Sequence, residues 1–403
     1  MKRLAFHRYD YAAFLTFCMY AMCSLVVPLC LVPMSKDLSF PLNAGGMGYG
    51  GIIQLGRSIP MTFTLVFCGF FAGRWGNRIS LGIAMLFVAV GIFCVGITPT
   101  YWMLLLAVGV AGLGEGIIEG LGTPFVYDQH PEDSARYVNF AHSFWSVGVF
   151  LAVLVCSFFL SANIVWREIV VLFGILALIP AGMLLFKNPK TINYREDKSV
   201  NLSVIWKNSK LLFSKTRFWL FLLSMFFAGG GEFCITFWTP SFIQIVHGNS
   251  IWGASFGIAL FALGMLTSRM LSGCLVPNHR MKELILLCAL GDAVIALFIP
   301  LIDSIGVLFF CLFIVGIMTG PLWASIQSYC VQRLHEDSTT IFIMLSASGI
   351  PGCGVFSALT GELGDLWGLR WAFFTAPVSF LLIILLIGIE GIINKVDERN
   401  VSA

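Results

Sequence analysis

Apolar runs of about 20 residues recur from one end of this chain to the other, each long enough to cross a hydrocarbon core as a helix. Twelve can be counted, near residues 11–33, 47–72, 79–98, 101–127, 138–160, 167–187, 217–247, 252–274, 282–302, 305–331, 338–360 and 371–394. The pattern dictates an all-α integral membrane protein in contact with membrane lipids, its helices numbered here span 1 to span 12. Composition agrees, because only 11% of the 403 residues are charged, against roughly 25% in an average soluble domain. Lys2, Arg3 and Arg8 imitate the basic start of a signal peptide. The apolar run behind them is too long for one and lacks a small-residue cleavage site, so it is kept as span 1.

Charge sets the orientation. With both termini cytoplasmic, all but five of the 24 Lys and Arg fall on the inner side or its loops. Lys36, Arg167 and Arg370 would face out, while Arg57 and Arg269 lie within spans. This follows the positive-inside rule and predicts a multi-pass protein of the bacterial cytoplasmic (inner) membrane. The net charge of +3 therefore calls for no nucleic-acid partner. No phosphate-binding loop, nucleophile elbow, metal-ligand cluster or dinucleotide fingerprint stands in a supporting context. The chain is read as a monomeric non-enzyme without cofactor or metal. All twelve cysteines fall within spans without a C-x-x-C pair, and read as small packing residues.

One hydrophilic break, Lys187 to Arg217, is longer than the others and holds eight basic residues and two acids. Within it Leu202, Ile205, Trp206 and Phe213 share one helical face, as in a helix lying in the membrane interface. The break divides the chain into a six-span bundle (1–187), a cytoplasmic linker (188–216) and a second six-span bundle (217–403). The halves keep a faint repeat at an offset of 204: Gly112 with Gly316, Gly116 with Gly320, Gly148 with Gly352, and "EDS" at 132–134 with "EDS" at 336–338. Ser134 and Ser338 are the expected caps of spans 5 and 11. Two six-helix repeats around a site at mid-membrane are the architecture of an alternating-access transporter.

The twelve spans, the basic break and "GFFAGRWGNR" between spans 2 and 3 resemble the major facilitator superfamily. Its signature in that gating loop is G-x-x-x-D-R-x-G-R-K. Gly69, Arg74, Gly76 and Arg78 fit it, and Gly73 stands where the acid is expected. Within that superfamily, "GLGEGIIEGLGTPFV…HPEDSARYVNFAHSFWSVG", "GGGEFCITFWTP" and "GIMTGPLWASIQS" are similar to segments of the fucose permease group of sugar:proton symporters. The resemblance implies a major facilitator fold of two pseudo-symmetric bundles and a small-molecule substrate of the sugar class. It implies coupling to H+, with Na+ open because carboxylates serve either ion.

Charges inside the spans carry the functional reading, since an ionised side chain at mid-bilayer costs about 2.5–3.5 kcal/mol on insertion scales. Glu115 and Glu119 lie one turn apart on span 4, about 6 Å along the axis. Two carboxylates that close cannot both ionise at low cost, a property suited to a proton carrier. Glu119 matches the acid of the sugar symporters, and its repeat counterpart is Trp323, so the acid belongs to one half only. Asn139 and His142 on span 5 stand where the resemblance puts two amides that meet sugar and the span 4 acid; His142 adds a second titratable group. Glu232 follows a triple glycine on span 7 that could break the helix. Trp238 and Trp323, with Gln244 and Gln327, are the aromatic and amide pair types that bind sugars. Gln54 shares a face with Arg57, which either neutralises a glutamate or binds an anionic substrate. Arg269 reads as snorkelling or bracing a gate, Asp292 as structural, and Trp102, Trp166, Trp252 and Trp371 as interface anchors. The leading expectation is a proton-coupled sugar symporter. Its alternatives are a proton-driven exporter of amphipathic compounds, for which the 37 Phe and 15 Met would serve, and a scaffold without turnover.

Overall fold

A computed structural model describes residues 5–130, 134–186, 202–277 and 280–402, and these are helical, with no strand among them. Eleven helical stretches are long and apolar enough to cross a membrane. They are span 1 (Arg8–Asp37), span 3 (Cys68–Ile97), span 4 (Tyr101–Gln129), span 5 (Ser134–Ser161) and span 6 (Trp166–Leu176 with Leu178–Leu185). Beyond the break come span 7 (Thr216–Ile245), span 8 (Ile251–Leu275) and span 9 (Met281–Phe298). Span 10 (Ile305–Thr319 with Leu322–Leu334), span 11 (Ser338–Trp367) and span 12 (Leu369–Ala372 with Thr375–Ser402) complete the second half. The twelfth crossing, span 2 (Met47–Val66), is the least apolar, because it carries Gly48, Gly50, Gly51, Gln54, Gly56 and Arg57. Gly76 sits at φ 75°, ψ 160° within the helix that opens at Cys68. The residues before it therefore prolong span 2, and the chain turns where only glycine is unstrained.

The offset of 204 is visible in the packing. A Cβ on Gly112 would lie 2.3 Å from the Arg57 carbonyl oxygen, and one on Gly316 would lie 2.1 Å from that of Phe261. Gly116 meets the Met61 carbonyl in the same way, and Gly320 approaches that of Met265. Each pair of partners is itself 204 residues apart, so spans 2 and 4 repeat as spans 8 and 10. The chain is two pseudo-symmetric six-helix bundles. Gly116→Ala should overpack this contact and cost about 1–3 kcal/mol, whereas Gly73→Ala, which meets open space, should be neutral or slightly stabilising. Melting curves of the two purified variants make the comparison; equal shifts would refute it.

The halves meet along spans 2 and 11. Gly51 abuts the Ser357 carbonyl, Gly354 abuts Leu55 and Ser58, and Gly361 abuts the Met47 carbonyl. Call the side where span 1 starts and span 12 ends the terminal face. At the opposite face the Asp365 carboxylate of span 11 caps span 2, accepting from the backbone N–H groups of Met47 (2.9 Å) and Gly48 (2.7 Å). Charge-assisted bonds to a helix N-terminus are among the stronger ones. Asp365→Ala should loosen this latch by about 1–2 kcal/mol. Spin labels at the exposed Tyr49 and Leu366 should then show a longer-distance population, and an unchanged distribution would remove the latch role.

Several expectations change. Span 7 is one unbroken helix, and its glycines serve close packing instead: Gly229 against the Gly349 carbonyl, Gly230 against Phe356 and Gly231 against Phe380. Asp337, not Ser338, caps span 11, accepting from the Thr340 N–H at 2.8 Å. Trp102, Trp252 and Trp371 are exposed, but Trp166 is buried and donates its indole N–H to Asp37 at 3.1 Å. The cysteines described are free thiols. The expected linker helix is present as Leu202–Phe213; residues 187–201 lie outside the described residues.

Candidate functional site

The glycine stripe of span 4 fixes which way its acids turn. With Gly112 and Gly116 pressed on span 2, the neighbouring face carries Glu115 and Glu119 toward span 1 and the opposite half. Glu115 is buried, and so is Arg57. Arg57 Nε donates to Glu115 Oε2 at 2.6 Å, Nη2 donates to Oε1, and Nη1 donates to the Ser24 carbonyl at 2.8 Å. This bidentate pair ties spans 1, 2 and 4 together. Of the two roles expected for Arg57, neutralising a glutamate is the one the geometry contains. Gln54, one turn away, is buried beside it.

Glu119 is differently placed. It is half-buried, and among the described residues no cation lies within ion-pair distance of it. Tyr20 Oη of span 1 donates to its Oε2 at a long 3.5 Å. Arg269, Glu232 and Glu115 are near enough to act on it electrostatically. The Tyr20 and Trp323 rings both pack on a small cluster of Met61, Leu65 and Ile350, which spans the two halves. Trp323, the repeat counterpart of Glu119, thus sits in the same central region, with its ring against Gly349.

A second charged group faces this one from the other half. Arg269 Nη2 lies 3.8 Å from Glu232 Oε1, and Arg269 Nε donates to the Gly320 carbonyl at 3.0 Å. Its guanidinium carbon stands 5.9 Å from the centre of the Trp145 ring on span 5, within cation–π range. Arg269 therefore turns inward to an acid and across the interface; of snorkelling and bracing a gate, the geometry contains no snorkelling. The described residues contain no group of three or more His, Cys, Asp and Glu that could hold a metal ion.

The remaining expected residues divide. Gln327 Nε2 donates to Ser346 Oγ at 3.1 Å near the centre. His142 does not meet Glu119; its Nε2 shares a 2.8 Å hydrogen bond with Thr123 Oγ1, one turn along span 4, and its ring lies on Phe17. The Asn139 side chain lies outside the described residues. Trp238 is fully buried, donating to the Ser357 carbonyl at 2.9 Å and resting against Gly50. It is packing in this conformation, not a lining residue. Gln244 folds back onto the Pro240 carbonyl of its own helix at 3.2 Å. Asp292 is buried, accepts from Thr319 Oγ1 at 3.1 Å, and lies near enough to Glu232 to feel its charge. In the gating loop, Arg78 donates to the Leu184 carbonyl of span 6, Arg74 lies over Trp75, and Gly69 is buried. Tyr20 and Thr123 are additional to the residues expected from sequence, and Trp145, whose orientation the sequence leaves open, turns toward Arg269. Tyrosine in an apolar span beside an acid on another was the one available sign.

The chain matches the Major Facilitator Superfamily over residues 12–354. Among solved structures it is similar to the nucleoside transporter NupG, with TM-score 0.77 and 13% identity over 95% of this chain and 98% of that one. It is also similar to a D-xylose-proton symporter, with TM-score 0.75 and 14% identity over 94% and 96%. A bacterial homologue of the human lysosomal transporter Spinster, in an inward-facing and occupied conformation, gives 0.73 and 14% over 95% and 96%. At these identities the likeness is one of fold. No curated protein matches the sequence.

Proposed function

The chain belongs to the Major Facilitator Superfamily, and from that premise we propose that it is a proton-coupled sugar symporter working by alternating access. Membership makes it a multi-pass secondary transporter of small molecules; the coupling ion and the sugar are our reading. The observation that carries it is the contrast between two acids one turn apart. Glu115 has a buried guanidinium of its own, while Glu119 has none among the described residues and lies beside the interface of the halves. A carboxyl so placed is stable in hydrocarbon when protonated and costly when ionised. Protonation of Glu119 from one side therefore permits the halves to close around the cargo, and release of the proton on the other side discourages return.

Trp323, Tyr20 and Gln327 supply an aromatic face and an amide at the same level, which supports a sugar by chemistry: rings take the C–H face and amides the hydroxyls. Glu232, held by Arg269, adds an acceptor. The test is uptake of labelled sugars into proteoliposomes with an acid-outside gradient. Accumulation that collapses when the gradient is dissipated supports the reading. Uptake indifferent to pH, or driven by sodium alone, overturns it.

A further inference from the structure

Below Ser58 the seam between spans 2 and 11 continues through the buried Met61, Leu65 and Ile350. Toward the terminal face the next turns of span 2 present Thr62 and Val66 to a cavity of about 410 Å³. Phe226 of span 7 and Ala347 of span 11 form its far wall, and Ile205 and Trp206 of the linker helix close it. Its chemistry is one-sided. The three hydroxyls on its wall are already committed: Thr62 donates to the Ser58 carbonyl (2.8 Å), Ser209 to that of Ile205 (2.7 Å) and Ser348 to that of Leu222 (2.8 Å). Water entering would find few partners, and cavities of this kind stay dry unless an apolar group fills them.

The rim shows where that group comes from. Phe63 is exposed and packs on Phe67, which lies against the exposed Trp206. Phe213 and Trp219, also exposed, flank the other edge. Aromatic residues exposed on the outer surface of a membrane-spanning bundle face lipid, so the mouth opens to the bilayer. On the same short helix Lys207 and Lys210 are exposed, away from the cavity face. The break that contains them holds eight basic residues against two acids. Apolar burial combined with lysines at headgroup level selects anionic lipid over zwitterionic.

We propose that this cavity holds one acyl chain of an anionic phospholipid, its headgroup against Lys207 and Lys210. A chain lodged there wedges between span 2 of one half and spans 7 and 11 of the other toward the terminal face, alongside the Met61, Leu65 and Ile350 contact. Bound lipid thus favours the conformation in which that face is parted. The site is independent of what the transporter carries.

The test uses the full-length protein in nanodiscs of phosphatidylcholine containing increasing amounts of phosphatidylglycerol with brominated chains. Comparison with Trp206→Phe isolates the fluorescence of Trp206, which a brominated chain in the cavity quenches. Quenching should saturate at a low fraction of the anionic lipid. Ala347→Phe, which fills the cavity, should raise the fraction needed by about tenfold for every two methylenes displaced. Lys207→Gln with Lys210→Gln, a surface change that leaves the bundle intact, should reduce the preference for anionic lipid by about thirtyfold, at roughly fivefold per lysine. If brominated phosphatidylcholine quenches Trp206 as strongly and neither variant alters the curve, the contact is with bulk lipid and the proposal fails. Absence of quenching in the wild type overturns it equally.

Discussion

Glu119→Gln should leave sugar exchange across the membrane running while abolishing accumulation against a gradient. Glutamine mimics the protonated acid in shape and neutrality, so the variant can still bind cargo and reorient. It has no proton to release, and the pH gradient loses its grip. With one proton per sugar, each unit of pH difference is worth 1.36 kcal/mol, or about tenfold accumulation; in the variant that ratio should fall to about one. Counterflow of labelled sugar measures exchange, and uptake under an acid-outside gradient measures coupling. Wild-type accumulation by the variant would eliminate Glu119 as the coupling acid. Loss of both activities would make it a binding or structural residue. Tyr20→Phe is the control, since it removes only the 3.5 Å bond and should leave coupling close to normal.

The largest effect on stability is expected at Arg57. Arg57→Met leaves the Glu115 carboxylate buried without its cation, and removing one member of a buried ion pair costs about 3–5 kcal/mol. Glu115→Met strands the guanidinium and should cost a similar amount. Replacing both by methionine removes charge and partner together, and such replacements are often neutral or stabilising. Thermal denaturation of the four proteins gives the coupling directly. Additive single effects would mean that the pair is not a unit. The double variant also separates the two roles expected for Arg57. If it transports normally, the arginine serves Glu115. If it folds but no longer binds cargo, the arginine meets the substrate.

Most of the fold was legible because crossing a bilayer imposes length and hydropathy on each helix separately. Twelve apolar runs announce themselves that way, and Gly76 and the 204-residue echo of Gly112 and Gly116 locate a turn and a duplicated packing contact. The site was less legible, for a physical reason. Helices such as Thr216–Ile245 are apolar on every side, so nothing in the sequence says which residues turn to the interface. Trp238 and Gln244 were thus expected to line a cavity, and they pack against span 11 or their own helix. The identity of Arg57's partner needed the distance between spans 2 and 4. The meeting of Arg269 with Trp145 needed the relation between halves, which no local pattern encodes.

The pairing of charges has an electrical consequence. Arg57 with Glu115 sums to zero, and so does Arg269 with Glu232. Of these five side chains, Glu119 alone is left for the membrane potential to act on whenever it is ionised. A field of 100 mV does about 2.3 kcal/mol of work on one charge carried fully across. Voltage would then bear on the empty, deprotonated carrier and spare the loaded, neutral one, so the return stroke is the step a potential should speed or slow.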